Sequence, residues 1–186
     1  TKGRASPCCY FLTRLGVRCL VHGDDFMLTG VGAALDEVKA GMHERFLLKE
    51  LGRLGGGEGE LRELRVLNRI IRWTPTGFKY EADPRHAEIM VRGVAGVERA
   101  LGAPGTNSKD YEAPGEEEDL PERTAKLFRS FAARVNYLAS DRPDLSQATK
   151  ELCRRMSAPR AADLRALARV ARYLVGASRI VYEYRW

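Results

Sequence analysis

Two short apolar runs, Cys19-Leu20-Val21 and Phe26-Met27-Leu28, flank His22-Gly23-Asp24-Asp25. Neither run is long enough for a helix, each contains or borders β-favouring residues, and Gly-Asp-Asp is turn chemistry. The segment therefore reads as a β-hairpin with the acid pair at its tip. Adjacent carboxylates repel each other, and a site that keeps both ionised does so by sharing a divalent cation. An Asp-Asp pair in a turn is most often a plain solvated loop. Here the apolar flanks put the pair at the edge of a core. Simple strand alternation would set His22 and Asp24 on one face and Asp25 on the other, unless the turn reorients it.

The rest of the chain reads as a mixed α+β arrangement. Residues 1–30 are strand-rich, and 33–48 carry a helical face of Leu35, Val38, Met42 and Phe46. Gly55-Gly56-Gly57-Glu58-Gly59 reads as a floppy loop, because glycines weaken a strand and leave nothing to pack. Residues 65–73 and 78–80 suggest one hairpin around Pro75-Thr76-Gly77, and a helix is expected from Pro84 to about Gly93. Residues 103–121 are rich in Gly, Pro and charge, and the Glu116-Glu117-Glu118-Asp119 run within them reads as a solvated loop. Helices follow near 122–140, 143–158 and 161–175, with a final strand over Ile180–Tyr184.

At 186 residues and 44% hydrophobic, the chain can bury a sizeable core. Cys8, Cys9, Cys19 and Cys153 have no zinc-type spacing, and a reduced, intracellular thiol set is expected. No apolar run approaches the ~20 residues of a membrane span, so no membrane partner is expected. The net charge of +6 is carried by the last quarter: from Arg142 onward nine Arg and one Lys face four acids. Leu164, Leu167, Ala171 and Leu174 form one helical face, and Arg165, Arg169 and Arg172 a stripe on another. That stripe, with Lys150 and Arg154 on the preceding helix, suits a phosphate backbone.

An ordered series of motifs resembles the copia-type retrotransposon reverse transcriptases. His22-Gly23-Asp24-Asp25 with Leu28-Thr29-Gly30 is similar to the family's aromatic-X-Asp-Asp box and its sequel. Glu44-Arg45-Phe46 and Lys49-Glu50-Leu51-Gly52 resemble the segment leading to the primer-gripping strands. Gly77-Phe78-Lys79-Tyr80 and Pro84-Arg85-His86-Ala87-Glu88 resemble the next strand and helix start. Most specific is Phe128-Arg129-Ser130 through Asn136-Tyr137-Leu138-Ala139 and Arg142-Pro143-Asp144-Leu145. Met156-Ser157-Ala158-Pro159, Arg172-Tyr173-Leu174-Val175-Gly176 and Val181-Tyr182 continue the pattern. The chain departs from the family box in carrying His22 and Gly23 ahead of the acids.

The resemblance implies a partial polymerase palm over 1–102, with the Asp-Asp hairpin and primer-grip-like strands. A charged linker over 103–121 and a helical thumb- or connection-like region over 122–186 would follow. It also implies two-metal nucleotidyl transfer with Mg²⁺, or Mn²⁺ in its place, on an RNA or DNA template-primer with deoxynucleotides. Asp24 would be the principal metal ligand and Asp25 the secondary one. The family's third aspartate lies upstream of the hairpin, whereas the first acidic residue here is Asp24. The isolated chain is therefore expected to be an inactive polyprotein fragment, acting with the rest of that polyprotein in a cytoplasmic particle or the nucleus. Two rival readings are a non-catalytic nucleic-acid-binding fragment using the Arg-rich helices and a metal-dependent hydrolase centred on His22, Asp24 and Asp25.

Overall fold

The computed structural model describes residues 1–94, 99–105 and 118–186. Glu116, Glu117 and most of the expected linker lie outside the described residues. The chain divides into two compact units, Thr1–Leu51 and Gly52–Trp186. The boundaries expected at 102 and 121 differ from this division: the strands after residue 60 belong with the C-terminal helices.

In the first unit, β1 (Cys9–Leu12), β2 (Val17–His22) and β3 (Asp25–Thr29) form an antiparallel sheet in the order β1-β2-β3. Gly16, with φ +64°, closes the β1–β2 turn, a backbone state that glycine adopts without strain. Helix α1 (Gly32–His43) follows, and its Glu37 pairs with Arg14 of that turn. The helix stops earlier than the expected residue 48. Phe46 consequently sits outside it, against the Phe26 ring at 6.3 Å between centroids.

The second unit opens with a loop that Arg62 ties down by donating to the carbonyls of Gly55 (2.7 Å) and Gly56 (3.0 Å). The Gly57 N–H donates to Glu60 Oε2, and Leu54 bridges to Leu61. This corrects the expectation of a floppy segment. A Cβ on Gly56 would lie 2.5 Å from the Trp73 ring, so the glycine is what lets the loop close on the tryptophan.

Strands β4 (Glu63–Val66), β5 (Arg69–Thr74) and β6 (Gly77–Glu81) then run antiparallel. The expected single strand over 65–73 is in fact split by a turn at Leu67 (φ +48°) and Asn68 (φ +66°). Two successive positive-φ residues make this the primed turn that matches strand twist. It was hidden because glycine is absent and Leu67 reads as a strand residue. Strand β7 (Val181–Arg185) completes the sheet by pairing with β6, giving the order β4-β5-β6-β7.

Helix α2 (Pro84–Gly93) begins as expected, with Pro84 in the first turn and the Asp83 carboxylate accepting the Arg85 N–H at 3.1 Å. Helices α3 (Glu122–Ala139), α4 (Ser146–Arg154) and α5 (Ala161–Gly176) bury stripes at helical spacing. A 3₁₀ turn, Pro143–Leu145, links α3 to α4. The core of this unit joins Met90, Phe128, Val135, Leu145, Leu152, Leu167 and Leu174, all essentially buried. The mixed α+β class is thus the observed one. Among the described residues, no helix is long and apolar enough to cross a membrane.

Candidate functional site

The Asp-Asp hairpin forms as its flanks require. His22 of β2 pairs with Asp25 of β3, and Gly23 (φ +63°) and Asp24 make the two-residue turn between them. The acid pair is therefore divided: Asp24 occupies the tip, and Asp25 is the first residue of β3. Because directly paired residues share a sheet face, His22 and Asp25 lie on the same side. The two-residue turn thus resets the strand period and reorients Asp25, the alternative that simple alternation leaves open. His22, Asp24 and Asp25 are all exposed. The described residues contain no group of three or more His, Cys, Asp or Glu side chains placed to hold a metal ion. The tip itself offers two oxygen-donor side chains, where a hard cation takes six or more oxygens.

The basic residues are distributed on α4 and α5. Lys150, Arg154 and Arg165 are exposed, and Arg169 and Arg172 are half-buried. Arg154 pairs with Glu151 at 3.1 Å, and the Arg172 Nε donates to the Arg99 carbonyl at 2.9 Å. Arg165 and Arg169 also have interaction partners. The expected stripe of unmatched cations is therefore partly occupied with intramolecular contacts. The apolar face of α5 does form, with Leu167, Ala171 and Leu174 buried and Leu164 partly so.

Three acid–arginine clusters, assembled from residues far apart in the chain, bind the second unit together. In the first, Arg142 is 1% exposed and grips Asp144 through Nε–Oδ1 (2.9 Å) and Nη2–Oδ2 (2.7 Å). The same guanidinium donates to the carbonyls of Ala177 (2.8 Å) and Ser178 (3.3 Å), while the Tyr173 hydroxyl donates to Asp144 Oδ2 at 2.8 Å. Burial pushes the Asp144 carboxyl up, but the hydrogen bonds from Arg142 and Tyr173 outweigh it and hold it below the usual range. Arg142-Pro143-Asp144 thus clamps the α3–α4 corner to the end of α5.

The second cluster is the buried Glu81 carboxylate, held by Arg179 and by Arg72 (2.8 Å). The hydrogen bonds from Arg179, with those from Arg72, keep its carboxyl below the ordinary range against the opposing effect of burial. In the third, Asp141 accepts from the Tyr80 hydroxyl at 2.5 Å and from the Arg69 guanidinium at 3.0 Å. Burial, reinforced by the Asp141 carboxylate, pushes the Tyr80 phenol up to about 12.

Sequence reasoning picked out Arg142-Pro143-Asp144 as a motif but gave it no role. It did not single out Glu81, Asp141, Arg69 or Arg179. Comparison with protein-family models, curated proteins and solved structures finds no match to the chain.

Proposed function

We propose that the chain is the palm-to-connection portion of a copia-type reverse transcriptase, with Asp24 and Asp25 as its contribution to a two-metal nucleotidyl-transfer site. The observation that carries this reading is the β2–Gly23-Asp24–β3 hairpin, which holds two carboxylates exposed at the end of an antiparallel sheet. It is supported by the order of the elements that follow: a helix, antiparallel strands, and a helical region clamped through Arg142-Pro143-Asp144.

Asp24 and Asp25 are the residues that would hold Mg²⁺ or Mn²⁺, and two carboxylates suit a hard cation. A bound metal pair supplies activation of a primer 3′-hydroxyl and neutralisation of the leaving pyrophosphate. The chain's own part is geometric. The tight turn sets the backbone positions of Asp24 and Asp25, and exposure leaves their carboxylates open to a template-primer and a deoxynucleotide. Two ligands fall short of a full set, so the chain by itself is expected to be inactive.

The test is primer extension by the polypeptide encoded from the upstream reading frame through Trp186, against this chain alone. Template-directed synthesis by the longer polypeptide, lost in Asp24→Asn, is the expected result. Two outcomes would overturn the reading. One is a longer polypeptide that carries a further aspartate-bearing strand and still makes no product; the other is undiminished synthesis by its Asp24→Asn variant.

A further inference from the structure

Of all the serines and threonines in the chain, Ser157 alone has an arginine three residues before it, and a second arginine follows in Arg154-Arg155-Met156-Ser157. The segment ends α4 and leads towards α5. Ser157 is exposed in the bend between them, as are Arg154, Arg155, Ala158 and Arg160. Among the described residues nothing hydrogen-bonds to the Ser157 hydroxyl, and neither Ser157 nor Ala158 makes a backbone hydrogen bond.

The bend is pinned on either side instead. The Arg129 Nε donates to the Met156 carbonyl at 2.9 Å, and the Leu120 N–H to the Pro159 carbonyl at 2.9 Å. Met156 packs against the core and Pro159 is buried. A hydroxyl without a partner is thus held out on a short loop whose flanks stay with the core.

Three arginines surround it in the chain, each within reach of an acid. Arg154 meets Glu151 at 3.1 Å, Arg155 meets Asp163 at 3.9 Å and Arg160 meets Asp119 at 4.0 Å. The last two contacts are too long for hydrogen bonds. A phosphate would bring nearly two negative charges and three acceptor oxygens among these cations, against one charge on each carboxylate.

We propose that Ser157 is a phosphorylation site for an arginine-directed serine kinase, and that Arg154, Arg155 and Arg160 cradle the phosphate it receives. Acids in the kinase cleft read the two preceding arginines by charge. The serine Oγ attacks the γ-phosphorus of ATP, the bond from that phosphorus to the β–γ bridging oxygen breaks, and ADP leaves. The hydroxyl proton passes to the kinase's carboxylate base. Presenting Arg154 and Ser157 together in extended form requires the last turn of α4 to open. The bonds that close it, Arg155 N–H to Leu152 at 3.1 Å and Met156 N–H to Cys153 at 3.2 Å, lie at a helix end, where opening costs least. The site is independent of the Asp-Asp hairpin and of the polymerase reading.

The test treats the folded full chain with ATP, Mg²⁺ and the catalytic subunit of cyclic-AMP-dependent protein kinase, which selects serine after Arg-Arg-X. Mass spectrometry should place one phosphate in the tryptic peptide Met156–Arg160, whose sole hydroxyl is Ser157. Ser157→Ala should take up none, and Arg154→Gln should be phosphorylated about 10- to 100-fold less efficiently, the loss of one charged contact. In a ³¹P titration the second ionisation of the phosphate should lie below about 6, the ordinary value, and rise in Arg160→Gln. Phosphate on another residue, full efficiency in Arg154→Gln, or an unshifted ionisation would each overturn the proposal. So would phosphorylation of a synthetic peptide spanning residues 150–161 but not of the folded chain.

Discussion

Among the described residues Arg142 is the largest fully buried side chain. Its charge is out of water, and what compensates it is one carboxylate and two backbone carbonyls. Truncation removes all of these at once and leaves Asp144 with the Tyr173 hydroxyl and its own backbone N–H, while the carbonyls of Ala177 and Ser178 lose a donor. Breaking a buried ion pair from one side costs about 3–5 kcal/mol, so Arg142→Ala should lower stability by that amount in urea unfolding. A loss under about 1 kcal/mol, the range of an exposed pair, would contradict the clamp.

The same chemistry sets a pH dependence. The Asp144, Glu81 and Asp83 carboxyls are all held below their ordinary values. A depressed carboxyl stabilises the fold above its unfolded pKa, near 4, and that stabilisation disappears as pH falls through the folded value. The carboxylate contribution should therefore be level above about pH 5 and drop steeply below 4. Urea midpoints at pH 7 and pH 3 measure this, and Asp144→Asn should flatten part of the drop. Equal midpoints for the wild type would refute it.

Elements with local causes were legible in the sequence. The hairpin at Gly23-Asp24, the start of α2 at Pro84 and the buried stripe of α5 follow from turn chemistry, capping and helical spacing among near neighbours. What escaped was set by distant partners or atypical residues. The Leu67-Asn68 turn lacks the glycine that announces a primed turn. Helix α1 ends short of Phe46, which packs on Phe26 instead. The pairing of β7 with β6 joins residues about a hundred positions apart, and no periodicity reports it. Of the candidate site, the hairpin and its acids could be read. The engagement of Arg172 by the Arg99 carbonyl could not, since a stripe on a helical wheel carries no information about distant partners, whereas the Glu151–Arg154 pair lies at i,i+3 spacing on one helix and was open to sequence reading.

The β6–β7 pairing has a specific requirement. A Cβ on Gly77 would overlap the Tyr184 carbonyl oxygen and come within 2.9 Å of the Arg185 Cα, which are backbone atoms that no rotamer change can move. Gly77→Ala should therefore detach the end of β7, raise amide exchange there and change tryptophan emission as Trp186 leaves Trp73. Gly102→Ala, where a Cβ meets nothing within 4 Å, is the matched control. Wild-type exchange in β7 of Gly77→Ala would show the close approach to be dispensable.

Across the whole molecule the two units are unequally built. Among residues 1–51 the sole buried side chain is Val17, although one face of their sheet carries Tyr10, Leu12, Val17, Cys19, Val21, Phe26 and Leu28. Gly52–Trp186 instead closes four helices over a continuous core and adds three charge clusters. At about 25 cal/mol per Å² of apolar surface removed from water, a unit with one buried side chain gains little against the entropy of ordering its strands. Residues 1–51 should therefore open locally, at a free energy well below that of global unfolding. Native-state hydrogen exchange tests this: amides of β1–β3 should exchange through openings almost insensitive to low denaturant, while those of α3 and α5 follow the global transition. A fragment beginning at Gly52 should keep the urea midpoint of that slow core, because its charge clusters and buried stripes lie within it. Exchange of β2 and β3 at the same opening free energy as α3, or loss of cooperative unfolding in the fragment, would mean that the sheet bearing Asp24 and Asp25 is stabilised with the core.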